Sequence, residues 1–311
     1  MAKKKSAAFE ENIKAYKYLS PALISIFVLA LLPMIYTIFI AFTNYNLTTA
    51  NTGWGMVGLQ NFKDVLVGPF KDFFFPVFGW TVVFATLSTF GCFFVGLFFA
   101  MLLSNKNMKE SFIYKAFLII PWALPGAIIV IAFQGLLNSQ YGAINNILMN
   151  LHIIKEPIMW LTNAGAARFA LVLINVWLGF PYMMNICLGA LSAIPESYYE
   201  AANIDGANGW QKFTKITLPS ISKTAYPLLI SSWAFNFNNF TSAYLLTGGN
   251  PMRPNSPFAG YTDILGSAAY KMSIQFGRFD LGAVLSILIF VLVGSISFIQ
   301  MKSSGQFEEV N

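Results

Sequence analysis

Hydrophobic and polar residues alternate along this chain in long blocks. Six apolar runs fall near Leu19 to Phe42, Val77 to Ser104, Ile113 to Leu137, Phe169 to Leu191, Ala225 to Leu246 and Leu281 to Met301. A helix of roughly 20 residues crosses the hydrocarbon core of a bilayer, so each run is long enough for one span. The pattern therefore predicts an all-α integral membrane protein with six transmembrane helices within residues 19–302.

The overall composition agrees with this prediction. Hydrophobic residues make up 56% of the chain and charged residues only 10%, whereas roughly a quarter of the residues in a soluble protein are charged. A basic start followed by an apolar run is also typical of a cleaved signal peptide. The first run is too long for such a segment and has no convincing small-residue cleavage site, so we expect a retained first helix.

The basic residues predict the orientation of the spans. Six spans place both termini on one side of the membrane, and an inward N-terminus leaves seven of the 19 Lys and Arg residues outside. Those seven are Lys63, Lys71, Lys155, Arg168, Arg253, Lys271 and Arg278. Because basic residues favour the cytoplasmic side, we expect both a cytoplasmic N-terminal segment, 1–18, and a cytoplasmic tail, 303–311. The net charge of +6 then requires no nucleic-acid partner.

A long polar connector, residues 195–223, separates the fourth and fifth runs. Good helix formers follow Pro195, which predicts a short helix, and Gly206 allows a sharp turn because glycine tolerates positive φ. An apolar edge at a spacing of three residues predicts a second short helix, which Pro219 closes; its members are Trp210, Phe213 and Ile216.

Such a pair of short helices suits a groove on a soluble partner, with apolar anchors for affinity and a carboxylate, Glu200, for orientation. The alternative is an ordinary amphipathic loop at the membrane surface, in which Glu200 is merely solvated. A Glu-Ala-Ala match alone would favour that alternative, since short patterns occur by chance. Four further residues in register reverse the balance: Gly206, Ile216, Leu218 and Pro219.

Neutral polar residues are concentrated in the fourth and fifth runs. At about 100° per residue, one face of a helix over the fifth run carries Ser232, Phe235, Asn236, Asn239 and Ala243, whereas Asn238 points elsewhere. The fourth run presents a similar face, with Leu178 adjacent to Asn175, Gly179 and Tyr182. Amides beside aromatic rings match a sugar, which needs hydrogen-bond partners for its hydroxyls and apolar surfaces for its C–H faces.

Two alternatives bear on this site. Asn and Ser side chains also join membrane helices to one another, and this structural role has about equal weight for any single residue. A proton- or ion-coupled carrier working alone is the second alternative, but no charged residue or histidine lies well inside the six runs. The chain also lacks a Gly-x4-Gly-Lys-Ser/Thr phosphate loop. We therefore expect the energy to come from ATP hydrolysis by another polypeptide.

Other chemistry is not indicated. The single histidine, His152, has no second ligand nearby, and a solvated loop residue is the better interpretation than a metal ligand. Cys92 and Cys187 both lie inside predicted spans and are expected to pack as small apolar residues. We predict neither an enzyme nor a cofactor or metal.

The connector carries the spacing Glu-Ala-Ala-x3-Gly-x9-Ile-x-Leu-Pro over residues 200–219. In this it resembles the membrane subunits of bacterial ABC importers. Further segments resemble the MalF-type permease subunits of maltose and maltodextrin importers: NVWLGFPY from Asn175, AFNFNNF from Ala234, LLTGG from Leu245 and AGYTD from Ala259. The resemblance covers roughly the C-terminal two thirds of the chain.

The resemblance implies a type I ABC importer permease fold in the bacterial cytoplasmic membrane. It assigns coupling to the ATPase to Glu200, Ala201, Ala202 and Gly206. It assigns sugar contacts to Leu178, Gly179, Tyr182, Phe235, Asn236 and Asn239, and a further contact to the position of Gly126. The best-studied members have a serine there, so one hydroxyl is lost and the sugar recognised is expected to differ.

The implied assembly contains a second, MalG-like permease, a dimer of MalK-like ATP-hydrolysing subunits and an extracytoplasmic sugar-binding protein. The substrate is an oligosaccharide, and the spans contact membrane lipid. The family's large external domain has no counterpart between the early runs here, so docking of the binding protein must use the short loops, chiefly 247–280. A galacto-oligosaccharide or another glucoside remains an alternative to maltodextrin.

Overall fold

The fold is described from a computed structural model, which describes residues 14, 16–105, 108–254 and 256–303. Most of the predicted N-terminal segment 1–18 and all but the first residue of the predicted tail 303–311 lie outside these residues. The same holds for four of the basic residues assigned to the cytoplasm: Lys3, Lys4, Lys5 and Lys106.

The described chain is mostly helical, as predicted. Its helices are α1 Tyr16–Ala41, α2 Thr49–Thr52, α3 Gln60–Leu66, α4 Lys71–Leu103, α5 Ser111–Leu118, α6 Ile120–Ala123, α7 Gly126–Leu136, α8 Ala143–Asn150, α9 Ala164–Ser192, α10 Glu196–Ile204, α11 Gly209–Lys212, α12 Leu218–Phe237, α13 Phe240–Thr247, α14 Leu265–Tyr270 and α15 Phe279–Ser303. One antiparallel hairpin, β1 Met252–Arg253 and β2 Ser256–Gly260, departs from the all-α prediction.

Four of the described helices are long and apolar enough to cross a membrane, and they correspond to the first, second, fourth and sixth predicted spans. They are α1, α4, α9 and α15. The helices over the third and fifth apolar runs are interrupted, so the prediction of one continuous helix over each of those runs is wrong. The interruptions have separate local causes.

Two prolines interrupt the third run. Leu124 has φ −87° and ψ 149°, and Pro125 follows with ψ 111°, so the chain is extended between α6 and α7. A residue before proline is pushed out of the helical region, and proline has no N–H for the helix ladder. The run therefore divides into α5, α6 and α7.

Two asparagines interrupt the fifth run. α12 ends at Phe237, and α13 restarts with Asn239 as its N-cap, the Asn239 Oδ1 accepting from the backbone N–H of Ser242 at 3.3 Å. Asparagine favours such caps because its side chain replaces a helical backbone partner. Asn239 is therefore not on the same helix as Asn236, contrary to the predicted helical face.

The connector also differs from the prediction at its C-terminal end. α11 continues through a π-helical turn, Phe213–Thr217, directly into α12, and Pro219 lies in the first turn of α12. Proline has no N–H to donate to the preceding turn, and here that turn is the π-helical one. The second short helix thus leads into the helix over the fifth apolar run, and Pro219 does not close it.

α4 and α9 pack along each other and form the centre of the molecule. Their contact is close because glycines face the partner helix: a Cβ on Gly96 would lie 2.6 Å from the backbone N of Met184, and one on Gly179 would lie 2.6 Å from the Cys92 Sγ. Cys92 and Cys187 are both buried and free, as predicted. α12 and α13 lie against this pair, and these four helices surround the site described next.

Candidate functional site

A cavity of about 730 Å³ opens between α9, α12 and the extended segment before α7. Its lining contains neutral polar groups and aromatic rings, and no acidic or basic side chain is among the described residues that line it. The wall includes all seven residues that the resemblance assigned to the sugar: Gly126, Leu178, Gly179, Tyr182, Phe235, Asn236 and Asn239.

The asparagines in the wall bond to each other across three helices. Asn175 donates from Nδ2 to Asn236 Oδ1 at 2.8 Å, and its own Oδ1 accepts from Asn239 Nδ2 at 2.7 Å and from Ser242 Oγ at 3.2 Å. Asn236 Nδ2 also donates to Thr89 Oγ1 at 3.1 Å. α4, α9, α12 and α13 are thereby joined by one buried network.

This network determines which polar groups remain for a ligand. Asn175 and Asn236 are buried. Both N–H groups of Asn236 are used by Thr89 and by the hydroxyl of Ser232, 3.5 Å away, whereas its Oδ1 accepts from Asn175 and keeps one lone pair. An amide has two donor hydrogens, so Asn175 and Asn239 each retain one N–H beyond the bonds described. The role as joints between helices, left open as the alternative, therefore describes Asn175 and Asn236 well.

Aromatic side chains with exposed surface also lie in the cavity wall. Phe235 is 71% exposed and Tyr182 is 37% exposed. Trp122, which the sequence analysis did not single out, also lines the cavity; its ring centroid lies 6.1 Å from that of Tyr182 at 32°. The sequence does contain a signal for Trp122, which lies between Pro121 and Pro125. Two prolines four residues apart in an apolar run indicate a break in the helix, and a break can expose an aromatic ring.

The two glycines of the predicted site differ in their surroundings. Gly126 begins α7, and an added Cβ there would meet nothing within 4 Å, so the position faces open space in the cavity. At Gly179 the same atom would collide with Cys92. Gly179 therefore has a packing role in addition to its place in the wall.

The connector 195–223 has the predicted start and turn. α10 begins directly after Pro195, and Gly206 adopts φ +72°. Glu200 and Ala201 are exposed and Ala202 is half-buried. Ile204 at 87% exposure and Trp210 at 71% are the large apolar side chains of this surface, and Ile204 was not predicted as an anchor.

Side-chain contacts join α10 to the helical run that follows it. The Tyr199 hydroxyl and Thr217 Oγ1 lie 2.8 Å apart, and Lys212 donates to the side chain of Asn203. Trp210 stacks beside Phe213 with ring centroids 5.6 Å apart, as the three-residue spacing predicted. The face with Glu200 is left open by these contacts.

The segment between α13 and α15 is folded around a buried carboxylate. Asp263 accepts from Lys271 Nζ at 2.7 Å, from Ser267 Oγ at 2.7 Å and from the Gly260 backbone N–H at 2.8 Å. Arg253 lies over the Tyr261 ring, 5.0 Å from its centroid. Burial lowers the pKa of the Arg253 guanidinium, although Tyr261 and Asp263 act in the opposite direction. Residues of the AGYTD segment thus stabilise the fold of this segment.

Comparison with known proteins places these features in a family. The model of the "Binding-protein-dependent transport system inner membrane component" family matches residues 92–303. The galactooligosaccharides transport system permease protein GanP of Bacillus subtilis (strain 168) is 36% identical over 303 residues, which are 95% of this chain and 72% of GanP. The maltose/maltodextrin transport system permease protein MalF of Escherichia coli (strain K12) is 40% identical over 261 residues, or 82% of this chain and 49% of MalF.

The chain spans about half the length of the MalF relatives that it matches. Among solved structures, a bacterial ABC transporter involved in the import of the acidic polysaccharide alginate has a similar fold, with a TM-score of 0.77 over 97% of this chain and 99% of that chain. The two are only 21% identical, so that likeness concerns the fold alone.

Proposed function

Because the chain belongs to the family of binding-protein-dependent transport system inner membrane components, we propose that it is the permease subunit of an ATP-binding-cassette importer. The cargo is an oligosaccharide of the maltose or maltodextrin kind, carried across the bacterial cytoplasmic membrane. The relatives that support an oligosaccharide cargo are permeases for galactooligosaccharides and for maltose or maltodextrin, and each aligns with most of this chain.

The cavity is the observation that carries the proposal. Its described lining combines hydroxyl, amide and aromatic groups without charge, which suits a neutral ligand with many hydroxyls and apolar C–H faces. A phosphorylated cargo would call for Arg or Lys in the wall. Gly126, Leu178, Gly179, Tyr182, Phe235, Asn236 and Asn239 are the proposed sugar-binding residues.

The proposed topology has six spans of the type I importer fold and both termini in the cytoplasm. In this arrangement α5 to α7 form the interrupted third span, and α12 with α13 forms the fifth. Broken helices are tolerated at membrane depth where the freed backbone groups line a cavity or are buried in protein. Both interruptions lie at the cavity described above.

Glu200, Ala201, Ala202 and Gly206 are the proposed coupling residues, which dock on the ATP-hydrolysing subunit. The assembly contains a second, MalG-like permease, two MalK-like ATPase subunits and an extracytoplasmic sugar-binding protein. Closure of the ATPase dimer moves the docked connector, and the spans then change access to the cavity by rigid-body motion. No covalent step takes place on this chain.

A galacto-oligosaccharide is the second candidate cargo. The alignment with GanP includes 95% of this chain and 72% of that relative, a larger share than the alignment with MalF. The glycine at position 126 also removes a hydroxyl that the maltose family supplies. Both features favour a site that differs in detail from a maltose site.

Uptake by the reconstituted importer tests the proposal. The chain is purified with its second permease and ATPase, placed in proteoliposomes with the binding protein, and supplied with labelled maltotriose or β-1,4-galactobiose. We expect accumulation of one sugar that requires both ATP and the binding protein. Uptake by this chain without the ATPase would contradict the importer assignment, and uptake of neither sugar would contradict the cargo class.

A further inference from the structure

Two arginines lie beside one tyrosine ring. Arg168 is in the second turn of α9, and Arg253 is in strand β1 of the hairpin. The guanidinium carbon of Arg168 lies 5.3 Å from the centroid of the Tyr261 ring, and that of Arg253 lies 5.0 Å from it. Arg168 also lies over the ring of Trp80, 4.4 Å from its centroid. Two positive charges from distant parts of the chain are therefore brought together around a single ring.

The described residues offer these two guanidinium groups neutral acceptors only. Arg168 Nε donates to the carbonyl of Tyr261 at 2.8 Å. Arg253 donates from Nε to the carbonyl of Gly260 at 3.0 Å and from a terminal nitrogen to the carbonyl of Pro76 at 3.2 Å. Neither arginine forms an ion pair within the described part of the chain. Since a guanidinium group has five N–H donors, both arginines keep most of their donors for another partner.

The surroundings of the two arginines supply no spare negative charge. Asp263 is already paired with Lys271 Nζ at 2.7 Å, so that pair adds no net charge and the arginines leave an excess of two positive charges. The indole N–H of Trp80 and the hydroxyl of Ser256, which is opposite Arg253 in the hairpin, are also buried without a hydrogen-bond partner among the described residues. The cluster has donors in excess and lacks an acceptor, which is the arrangement expected of an anion-binding site.

We propose that Arg168 and Arg253 form a carboxylate-binding site, which receives an acidic side chain of the extracytoplasmic sugar-binding protein. The planar guanidinium group matches a carboxylate with two parallel hydrogen bonds. This inference rests on the proposed function, because the proposed topology places the start of α9 and the hairpin on the external side. It adds Arg168, which is outside the loop 247–280 that the sequence indicated for docking.

The fixed geometry of the site favours a folded protein over a lipid headgroup as the source of the anion. Backbone carbonyls hold both guanidinium groups, and Gly260, which accepts from Arg253, donates its own N–H to the buried Asp263. A preorganised site of this kind suits a partner whose carboxylate is also held in place. Attraction to anionic lipids is typical of mobile clusters of about four to eight basic residues, whereas two half-buried arginines are present here.

Binding of the sugar-loaded binding protein to the complete importer tests the site. The importer is placed in phosphatidylcholine nanodiscs, and the Kd is measured at about 0.05 M and about 0.5 M NaCl, because salt screens charge pairs. The variants are Arg168→Gln and Arg253→Glu. The matched control is Lys155→Gln, which removes one positive charge at an exposed position between α8 and α9. The Tm and the amount of second permease that copurifies report on the fold.

The low-salt measurement should show the largest differences. We expect the Kd to rise about tenfold in Arg168→Gln, which loses a charged donor, and about thirtyfold in Arg253→Glu, which adds repulsion. At high salt both increases should shrink to about threefold. Lys155→Gln should stay within about twofold at both salt concentrations, and the Tm and copurification should be unchanged in all three variants.

Three outcomes would overturn the inference. A low-salt Kd of Arg168→Gln within twofold of the unsubstituted value would show that no carboxylate is bound there. An equal rise for Arg253→Glu at both salt concentrations would assign that arginine to the internal structure. A Kd that rises when phosphatidylglycerol replaces half of the lipid, but not in the arginine variants, would assign the site to a lipid phosphate. Failure of the proposed function is distinguishable, because the unsubstituted importer would then bind no sugar-binding protein.

Discussion

The segment 248–271, which follows α13, and the connector residues 195–217 both join helices, but their charged groups differ in burial. In the segment 248–271 Asp263 is buried with three hydrogen-bond donors from within the segment itself. In the connector Glu200 is exposed, and the side chains of Tyr199 and Asn203 contact the helical run that follows α10. The buried carboxylate has its partners within its own segment, whereas the connector presents an exposed carboxylate.

The two segments also differ in how much exposed apolar area a partner could bury. Ile204 and Trp210 expose most of their apolar area on the connector, and burying such area is favourable by about 25 cal/mol per Å². A partner that covers them gains that energy. The buried charge of the segment 248–271 is already paired, so this segment has a preformed shape without a partner.

Removing the buried carboxylate is the largest change that tests this comparison. Asp263→Ala leaves the Lys271 ammonium buried without its partner, and breaking a buried pair in this way costs about 3–5 kcal/mol. We expect loss of most folded protein, measured as the yield of monodisperse detergent-solubilised protein and its Tm. Asp72→Ala, at an exposed carboxylate, is the control and should change stability by less than about 0.5 kcal/mol. Equal Tm values for the two variants would remove the distinction between the segments.

Reversing the connector charge should affect function without affecting the fold. In Glu200→Lys we expect the Tm to be unchanged and sugar uptake per ATP hydrolysed to fall about tenfold, as expected when a 1.4 kcal/mol docking contact is lost. The matched control is Glu156→Lys, the same reversal at an exposed external position. Normal uptake by Glu200→Lys would contradict the assignment of Glu200 to coupling.

Truncating an apolar anchor of the connector should have the smallest effect. Trp210→Ala removes a ring that is 71% exposed, so the Tm of the isolated chain should remain within about 2 °C. Retention of the ATPase subunit on the immobilised permease should fall about fivefold, since truncating an interface anchor costs about 1 kcal/mol. Trp210→Phe should retain most of the binding, and unchanged retention in Trp210→Ala would exclude the ring from the contact.

Helical spacing was sufficient for the fourth span and only partly sufficient for the fifth. Asn175, Gly179 and Tyr182 share one wall of the cavity because α9 is continuous, so the spacing i, i+4, i+7 describes it correctly. Asn236 and Asn239 also reach that wall, but Asn239 does so as the cap of a new helix. The spacing rule assumed a continuous helix, and the asparagines themselves interrupt it.

Contacts between distant segments could not be predicted from the sequence. The place of Trp122 depends on the angle of the chain at Leu124 and on α9 lying opposite. The pairing of Asp263 with Lys271 depends on a π-helical turn after α14 that places Lys271 over the carboxylate. The sequence shows which residues are present, but it does not predict the backbone irregularities that bring them together.

The unbroken helical run from Gly209 to Phe237 has a mechanical consequence. At about 1.5 Å per residue it is roughly 40 Å long, with Trp210 near one end and Phe235 near the other. Under the proposed function, a displacement of the docked Trp210 is carried along one helical element to a side chain in the cavity wall. The π-helical turn, Pro219 and Pro227 are the points at which this element can bend.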